Sequence, residues 1–285
     1  MKPFRWNLSK AEQLGKLIKG ERADFSDEHL EELKRCCSRI MAFSNQSRLV
    51  FVGRSPESCF DYLSGVFSNS SLENNFIHLN ISNRFRSIKD IKINAFDAYE
   101  ALKEHFKVLG ISPGAILNSK QGICFVDLVA EGGTFEAIYE FLLSYCTDQK
   151  QDIQALKSKV QFLGITRRTK NSPNTWRWQQ QVAWVKEHQV SQIKNISITW
   201  SLWDFLGNWQ TKVTKTNPPH RWSDDAILLP PREEAHLKAL RRAFDLYTLG
   251  CQDKDTFAAL LSKERSVKEA WFRTSISELR QQGKS

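Results

Sequence analysis

An acidic residue followed by a glycine-rich turn makes up the segment of this chain best suited to chemistry. Residues 122–134 read Gly-Ile-Cys-Phe-Val-Asp-Leu-Val-Ala-Glu-Gly-Gly-Thr, and Asp127 ends a short apolar run. Such a run is typical of an internal parallel strand, and helical spacing of apolar residues begins after Thr134. The two glycines let the backbone approach a ligand closely, while the helix start directs free N–H groups at the turn. The arrangement predicts a bound phosphate group.

A second segment repeats this order of strand, glycine, polar loop and helix. An apolar run from Leu49 to Val52 precedes Gly53, Arg54 and Ser55, and a helical pattern follows. Arg54 can form charge-assisted hydrogen bonds to phosphate oxygens. Taken alone it is equally well explained as the partner of a surface acid. Two such units in one chain favour a doubly wound sheet and, together, a phosphate or nucleotide site.

The segment at 122–134 resembles the loop that binds phosphoribosyl pyrophosphate (PRPP) in type I phosphoribosyltransferases. That family has four apolar residues, two acids, a short link and then Thr-Gly-Gly-Thr or a close variant. Here Val126 stands at the first acid and Glu131 at the first threonine. A carboxylate at Glu131 disfavours a neighbouring phosphate unless it points outward or meets Mg²⁺.

The resemblance implies roles for particular residues. Catalysis would fall to Asp127 and Arg54, and Asp127 would also hold a magnesium ion. The ribose and phosphate groups would contact a set of loop residues, namely Gly53, Ser55, Ala130, Glu131, Gly132, Gly133 and Thr134.

Two further segments are candidates for contacts with phosphate or with the acceptor. Arg84 and Arg86 follow a predicted strand, in the place where the family has a flexible hood. Arg167 and Arg168 follow another predicted strand, and Trp176 lies in the loop beyond them. Cations and aromatic rings can bind phosphate or stack on a base. A solvated basic loop explains the arginines at 84 and 86 at least as well.

Composition restricts the class of protein. The chain has 285 residues, of which 41% are hydrophobic, enough for a substantial core. No segment has the unbroken apolar length of a membrane span, and the first residues lack the apolar run of a signal peptide. Six cysteines show no spacing typical of a zinc site. These features predict a cytoplasmic protein with reduced thiols and no membrane partner.

Charge and tryptophan are concentrated in the second half of the chain. The net charge is +9, yet residues 1–150 contain 19 Lys+Arg and 19 Asp+Glu, whereas residues 151–285 contain 22 and 13. Eight of the nine tryptophans lie from Trp176 onward. Residues 151–223 alone contain 11 Lys+Arg against 3 Asp+Glu, which is compatible with nucleic-acid binding.

The sequence therefore predicts an α/β protein in three regions. Residues 1–45 form an N-terminal helical segment, 46–170 a type I phosphoribosyltransferase-like core with a mainly parallel sheet flanked by helices, and 171–285 a basic, Trp-rich, mostly helical region. The first functional hypothesis is an enzyme that binds PRPP or a nucleoside 5′-phosphate and transfers the 5-phosphoribosyl group to a nitrogenous acceptor. The alternative is a catalytically degenerate nucleotide sensor or effector that binds nucleic acid through its basic C-terminal surface.

Overall fold

The strands form one parallel sheet. The structure, a computed structural model, describes residues 4–22, 25–82, 87–168, 177–188, 190, 192–224 and 229–283. Within these ranges the strands are Arg48–Val52 (β1), Phe76–Leu79 (β2), Ile123–Leu128 (β3), Val160–Arg167 (β4) and Ile193–Ile198 (β5). Their order is β2-β1-β3-β4-β5, and every pairing is parallel. The predicted α/β fold with a parallel sheet flanked by helices is confirmed.

Helices connect and cover these strands. Their bounds are Ala11–Leu14 (α1), Asp27–Phe43 (α2), Glu57–Val66 (α3), Ile88–Asn94 (α4), Phe96–Val108 (α5), Pro113–Asn118 (α6), Gly133–Asp148 (α7), Ile153–Lys159 (α8), Trp178–Gln181 (α9), Ala183–Glu187 (α10), Trp200–Asp204 (α11), Glu234–Gln252 (α12), Lys254–Leu261 (α13) and Ala270–Gln282 (α14). Short 3₁₀ segments lie at Gly15–Ile18, Glu73–Asn75, Pro219–Arg221 and Arg265–Lys268, and a π-helical turn at Phe205–Trp209. In the described ranges, no helix combines the length and apolar character needed to pass through a bilayer.

Both faces of the sheet are buried, which is why its strands appear in the sequence as unbroken apolar runs. In β3, Cys124 and Val126 contribute to one core, and Ile123 and Phe125 contribute to the other. Helices α2, α3, α12, α13 and α14 supply apolar residues to the first core, and α4 to α8 supply them to the second. The layers are therefore helix, sheet and helix.

The sheet extends past the core predicted at 46–170. Strand β5 pairs with β4 from Ile193 beside Phe162 to Ile198 beside Arg167. Helices from the regions predicted at 1–45 and 171–285 also pack on one another, since α2 contacts α13. Because the apolar sides of these helices need the same sheet face to bury them, all three predicted regions share one core.

Helices α3 and α12 approach each other so closely that glycine is required at the contact. A Cβ atom on Gly65 would lie 2.0 Å from the carbonyl oxygen of Tyr247. A Cβ atom on Gly250 would lie 2.3 Å from the carbonyl oxygen of Tyr62. Both neighbouring atoms belong to helical backbone, which cannot turn aside as a flexible side chain can.

We expect Gly65→Ala to lower the free energy of unfolding by about 1–3 kcal/mol or more, because the added methyl forces the two helices apart. Urea denaturation monitored by circular dichroism measures this change. Gly114→Ala is the matched control, since a Cβ atom there meets only the end of the Gln151 side chain, at 2.9 Å. Equal stabilities for the two variants would contradict the close contact.

Candidate functional site

A cleft of about 230 Å³ opens where the carboxyl ends of β1, β2 and β3 meet. Its lining consists of Val52, Gly53, Arg54, Ser55, Ile81, Ser82, Asp127, Leu128, Thr134, Gly207 and Lys212. From β1 the chain adds β2 on one side of the sheet and β3, β4 and β5 on the other, so the order of strands reverses between β1 and β3. In doubly wound sheets, ligands bind in the crevice at this point. The two segments that the sequence singled out thus meet at one place.

The loop after β1 is held by the neighbouring strand β2. Gly53 has a φ of +67°, and a Cβ atom on it would lie 2.9 Å from the carbonyl oxygen of Ile81. Its N–H donates to the carbonyl oxygen of Leu79 at 2.8 Å, and its own carbonyl oxygen accepts from Nε2 of His78 at 2.6 Å. Glycine is therefore required here by the backbone, with or without a ligand.

A later segment, residues 205–214, lies against the same loop. The Nε2 atom of Gln210 donates to the carbonyl oxygens of Arg54 and Ser55, at 3.4 and 2.7 Å. The Oε1 atom of the same side chain accepts from the hydroxyl of Ser58 at 2.8 Å. These bonds fix the carbonyl oxygens of the loop, whose residues Gly53, Arg54 and Ser55 line the cleft.

A buried carboxylate holds the other end of the 205–214 segment. Glu57, at the start of α3, accepts from the N–H groups of Val213 and Thr214 at 2.9 and 3.1 Å, and from the Thr214 hydroxyl. These bonds place Lys212 in the cleft, where its Nζ atom donates to the carbonyl oxygen of Leu206 at 2.6 Å. Sequence reasoning missed Lys212, because a lysine in a long loop has no spacing that marks it.

The cleft contains an acid and a base that titrate in the same range. Burial raises the pKa of Asp127 to about 7, although hydrogen bonds from the Leu128 N–H and the Thr134 hydroxyl favour its carboxylate. Burial lowers the pKa of Lys212 to about 7, although Glu57 favours its charged form. Near neutral pH both the charged and the neutral form of each group are thus populated. An incoming phosphate would favour the neutral carboxyl group and the charged amine.

The glycine-rich turn is arranged differently from the prediction. Gly132 has a φ of +85° and is buried beneath Trp178, whose ring atoms would lie 2.3 Å from an added Cβ atom. Ala130, Glu131 and Gly133 are exposed. None of these four described residues lines the cleft, because the left-handed bend at Gly132 folds the turn under the indole. Their contacts with a phosphate stay a prediction, whereas Thr134 does line the cleft.

The start of α7 nevertheless lies at the cleft. This helix of 16 residues has Gly132 as its N-cap, and the N-cap residue makes no side-chain hydrogen bond to the helix. The first N–H groups of a helix lack partners within the helix, and the positive end of its dipole lies there. Since Thr134 belongs to this first turn and lines the cleft, an anion in the cleft would meet both features.

The arginines after β4 are engaged elsewhere. The guanidinium of Arg167 lies over the ring of Trp200, 5.8 Å from its centroid. Arg168 forms an ion pair with Glu32, with Nη2 and Oε1 3.3 Å apart. Both arginines are exposed and lie outside the cleft lining, and their contacts with phosphate or with an acceptor stay a prediction. The predicted contacts of Arg84, Arg86 and Trp176 lie outside the described residues.

The magnesium ion predicted at Asp127 lacks a set of protein ligands. Among the described residues no group of three or more His, Cys, Asp and Glu side chains could hold a metal ion. Asp127 is the only carboxylate among the described residues that line the cleft. The magnesium ion stays a prediction, since Mg²⁺ is commonly bound through one or two carboxylates together with phosphate oxygens of a substrate.

Comparisons with models of protein families, with curated proteins and with solved structures found no match for this chain. Function is therefore inferred from the geometry and charge of the cleft.

We expect Asp127→Asn to change how stability depends on pH. The folded state holds this carboxyl proton up to about pH 7, and the unfolded state only to about pH 4. Folding stability from this group is therefore lost as the pH rises through that window. Because the variant has no such loss, its melting temperature relative to the parent should rise between about pH 5 and about pH 8.

Asp148→Asn is the control for this measurement. Despite partial burial, hydrogen bonds from Lys92 and Tyr99 lower the pKa of Asp148, so its titration lies below the pH range compared. Its difference from the parent should stay constant between the two pH values. A constant difference for Asp127→Asn as well would contradict the raised pKa of Asp127.

Proposed function

We propose that the cleft binds a 5-phosphorylated ribose and that the protein transfers the 5-phosphoribosyl group from PRPP to a nitrogenous acceptor, releasing pyrophosphate. One observation carries this proposal: Lys212, Arg54 and the start of α7 at Thr134 line the same small cleft as Asp127. Cationic side chains and helix N–H groups are the usual partners of phosphate. A carboxylate is a strong acceptor for ribose hydroxyls.

The positions of these groups suggest how the ligand lies. The 5′-phosphate would bind at the start of α7, with the N–H groups of the first turn and the ammonium group of Lys212 as donors. The ribose hydroxyls would face Asp127, and the pyrophosphate would lie on the loop after β1, beside Arg54. In this orientation the start of α7 binds the 5′-phosphate of PRPP and the loop after β1 binds its pyrophosphate.

The reaction would break the bond between C1 of the ribose and the pyrophosphate oxygen, which keeps the electron pair. The acceptor nitrogen forms a new bond to C1 and loses its proton to solvent. Arg54 lowers the energy of the leaving pyrophosphate by offsetting its charge. Asp127, when ionised, stabilises the positive charge that develops on the ribose.

Lys212→Met should weaken binding of ribose 5-phosphate about 10- to 100-fold, the effect of losing one hydrogen bond to a charged group. Isothermal titration calorimetry measures the dissociation constant with and without Mg²⁺. Lys215→Met is the matched control, because Lys215 pairs with Glu233 at 3.2 Å and lies outside the cleft lining. Glu131→Thr should also leave the affinity within about twofold, since Glu131 is exposed.

The outcomes separate the two parts of the proposal. If neither ribose 5-phosphate nor PRPP binds at millimolar concentration, the cleft is not a phosphoribosyl site. If PRPP binds and an assay of pyrophosphate release with a panel of nitrogenous bases detects turnover, the transferase proposal is supported. Tight binding without any turnover across the panel would instead favour the nucleotide-sensing alternative.

A further inference from the structure

A tryptophan two residues after Gly207, which lines the cleft, is exposed to an unusual extent. Trp209 is 74% exposed, the highest fraction among the exposed large hydrophobic side chains in the described part of the chain. Leaving a large indole in water gives up the free energy that its burial would gain. Its position is therefore a stronger indication of a binding role than an exposed aliphatic residue would be.

Hydrogen bonds hold this indole in place. Its Nε1 atom donates to Oδ2 of Asp204 at 2.7 Å, and Oδ1 of Asp204 accepts from Nδ2 of Asn208 at 2.7 Å. An aromatic ring that is already oriented loses little conformational entropy when a ligand stacks on it. The N–H edge is engaged, and the exposed surface consists largely of the carbon atoms of the ring.

The turn that carries Trp209 belongs to the cleft. Trp209 is the last residue of the π-helical turn, and Gly207 of the same turn lines the cleft. The carbonyl oxygen of Leu206 accepts from Lys212 at 2.6 Å and from Gln210 at 2.8 Å. The same turn therefore carries the exposed indole and accepts a hydrogen bond from Lys212, the cation that would bind phosphate. Isolated π-helical turns occur often at functional sites.

The size of the cleft requires a larger ligand to extend beyond it. Its volume is about 230 Å³, whereas sites that enclose a whole small-molecule ligand span roughly 300–1,000 Å³. A ribose phosphate fits such a space, but a complete nucleotide needs room outside it. The part attached to C1 of the ribose would then lie over the rim.

We propose that Trp209 is the stacking platform for the nucleobase of a nucleoside 5′-phosphate whose ribose phosphate occupies the cleft. The proposal rests on the proposed function, and it names the attached group as an aromatic heterocycle. A flat base stacks on an indole whatever its pattern of hydrogen-bonding groups. Trp209 therefore favours nucleotides over ribose phosphates without a base, and it discriminates weakly between bases.

Trp200 provides a matched control on the adjoining helix. It is 53% exposed, but its ring stacks on Trp203 with centroids 5.7 Å apart, and Arg167 lies over it. Its faces are thus already used within the protein. Trp200→Ala removes a second exposed indole, and it should not change affinity for a ligand in the cleft.

The test compares the dissociation constants of ribose 5-phosphate and of adenosine and uridine 5′-monophosphates by isothermal titration calorimetry. The parent protein should bind the nucleotides roughly 5- to 100-fold more tightly than ribose 5-phosphate, the usual effect of one base-stacking ring. Trp209→Ala should abolish this difference without changing the affinity for ribose 5-phosphate. Trp209→Phe should retain most of it, and Trp200→Ala should retain all of it.

The same titrations separate failure of the inference from failure of the proposed function. If ribose 5-phosphate binds but the nucleotides gain nothing, or keep their gain in Trp209→Ala, the stacking platform is wrong and the cleft remains. If ribose 5-phosphate does not bind, the proposed function fails and the platform fails with it. A 5′-phosphorylated trinucleotide that binds more tightly than the monophosphates would show that the ligand is a nucleic-acid end, and would overturn the assignment to free nucleotides.

Discussion

The buried carboxylate of Glu57 joins the two parts of the chain that form the candidate site. It lies directly after the β1 loop and accepts three hydrogen bonds from Val213 and Thr214. A buried carboxylate is costly unless donors satisfy it, and here the donors belong to a segment about 150 residues away. Because that segment is fixed, Lys212 reaches a cleft whose other lining residues come mostly from residues 52–134.

Local patterns predicted the parts of the fold that depend on short stretches of sequence. The apolar runs at β1, β3 and β4 predicted strands, because a strand buried on both faces is apolar throughout. The spacing after Thr134 predicted α7, because a helix buried on one face has apolar residues at helical intervals. The predicted core ended at residue 170, so the place of β5 in the sheet was not predicted. β5 lies on the sheet edge with alternating exposure, and its place depends on pairing with β4.

The candidate site was harder to predict because its residues act through long-range contacts. Lys212 and Gln210 have no motif, and their roles depend on Glu57 and on the β1 loop. The glycine pattern is ambiguous for a physical reason. Gly132 is required by a left-handed φ and by the ring of Trp178, and the same residue type would serve a phosphate. Composition likewise grouped Trp178 with Trp209, although the first is buried and the second exposed.

The most direct test of the central claim is a crystal structure of the protein with ribose 5-phosphate. We expect the phosphate within hydrogen-bonding distance of Lys212 and of the N–H groups at the start of α7, with the ribose hydroxyls directed at Asp127. A ligand bound away from this cleft, or a phosphate that contacts neither Lys212 nor the start of α7, would contradict it.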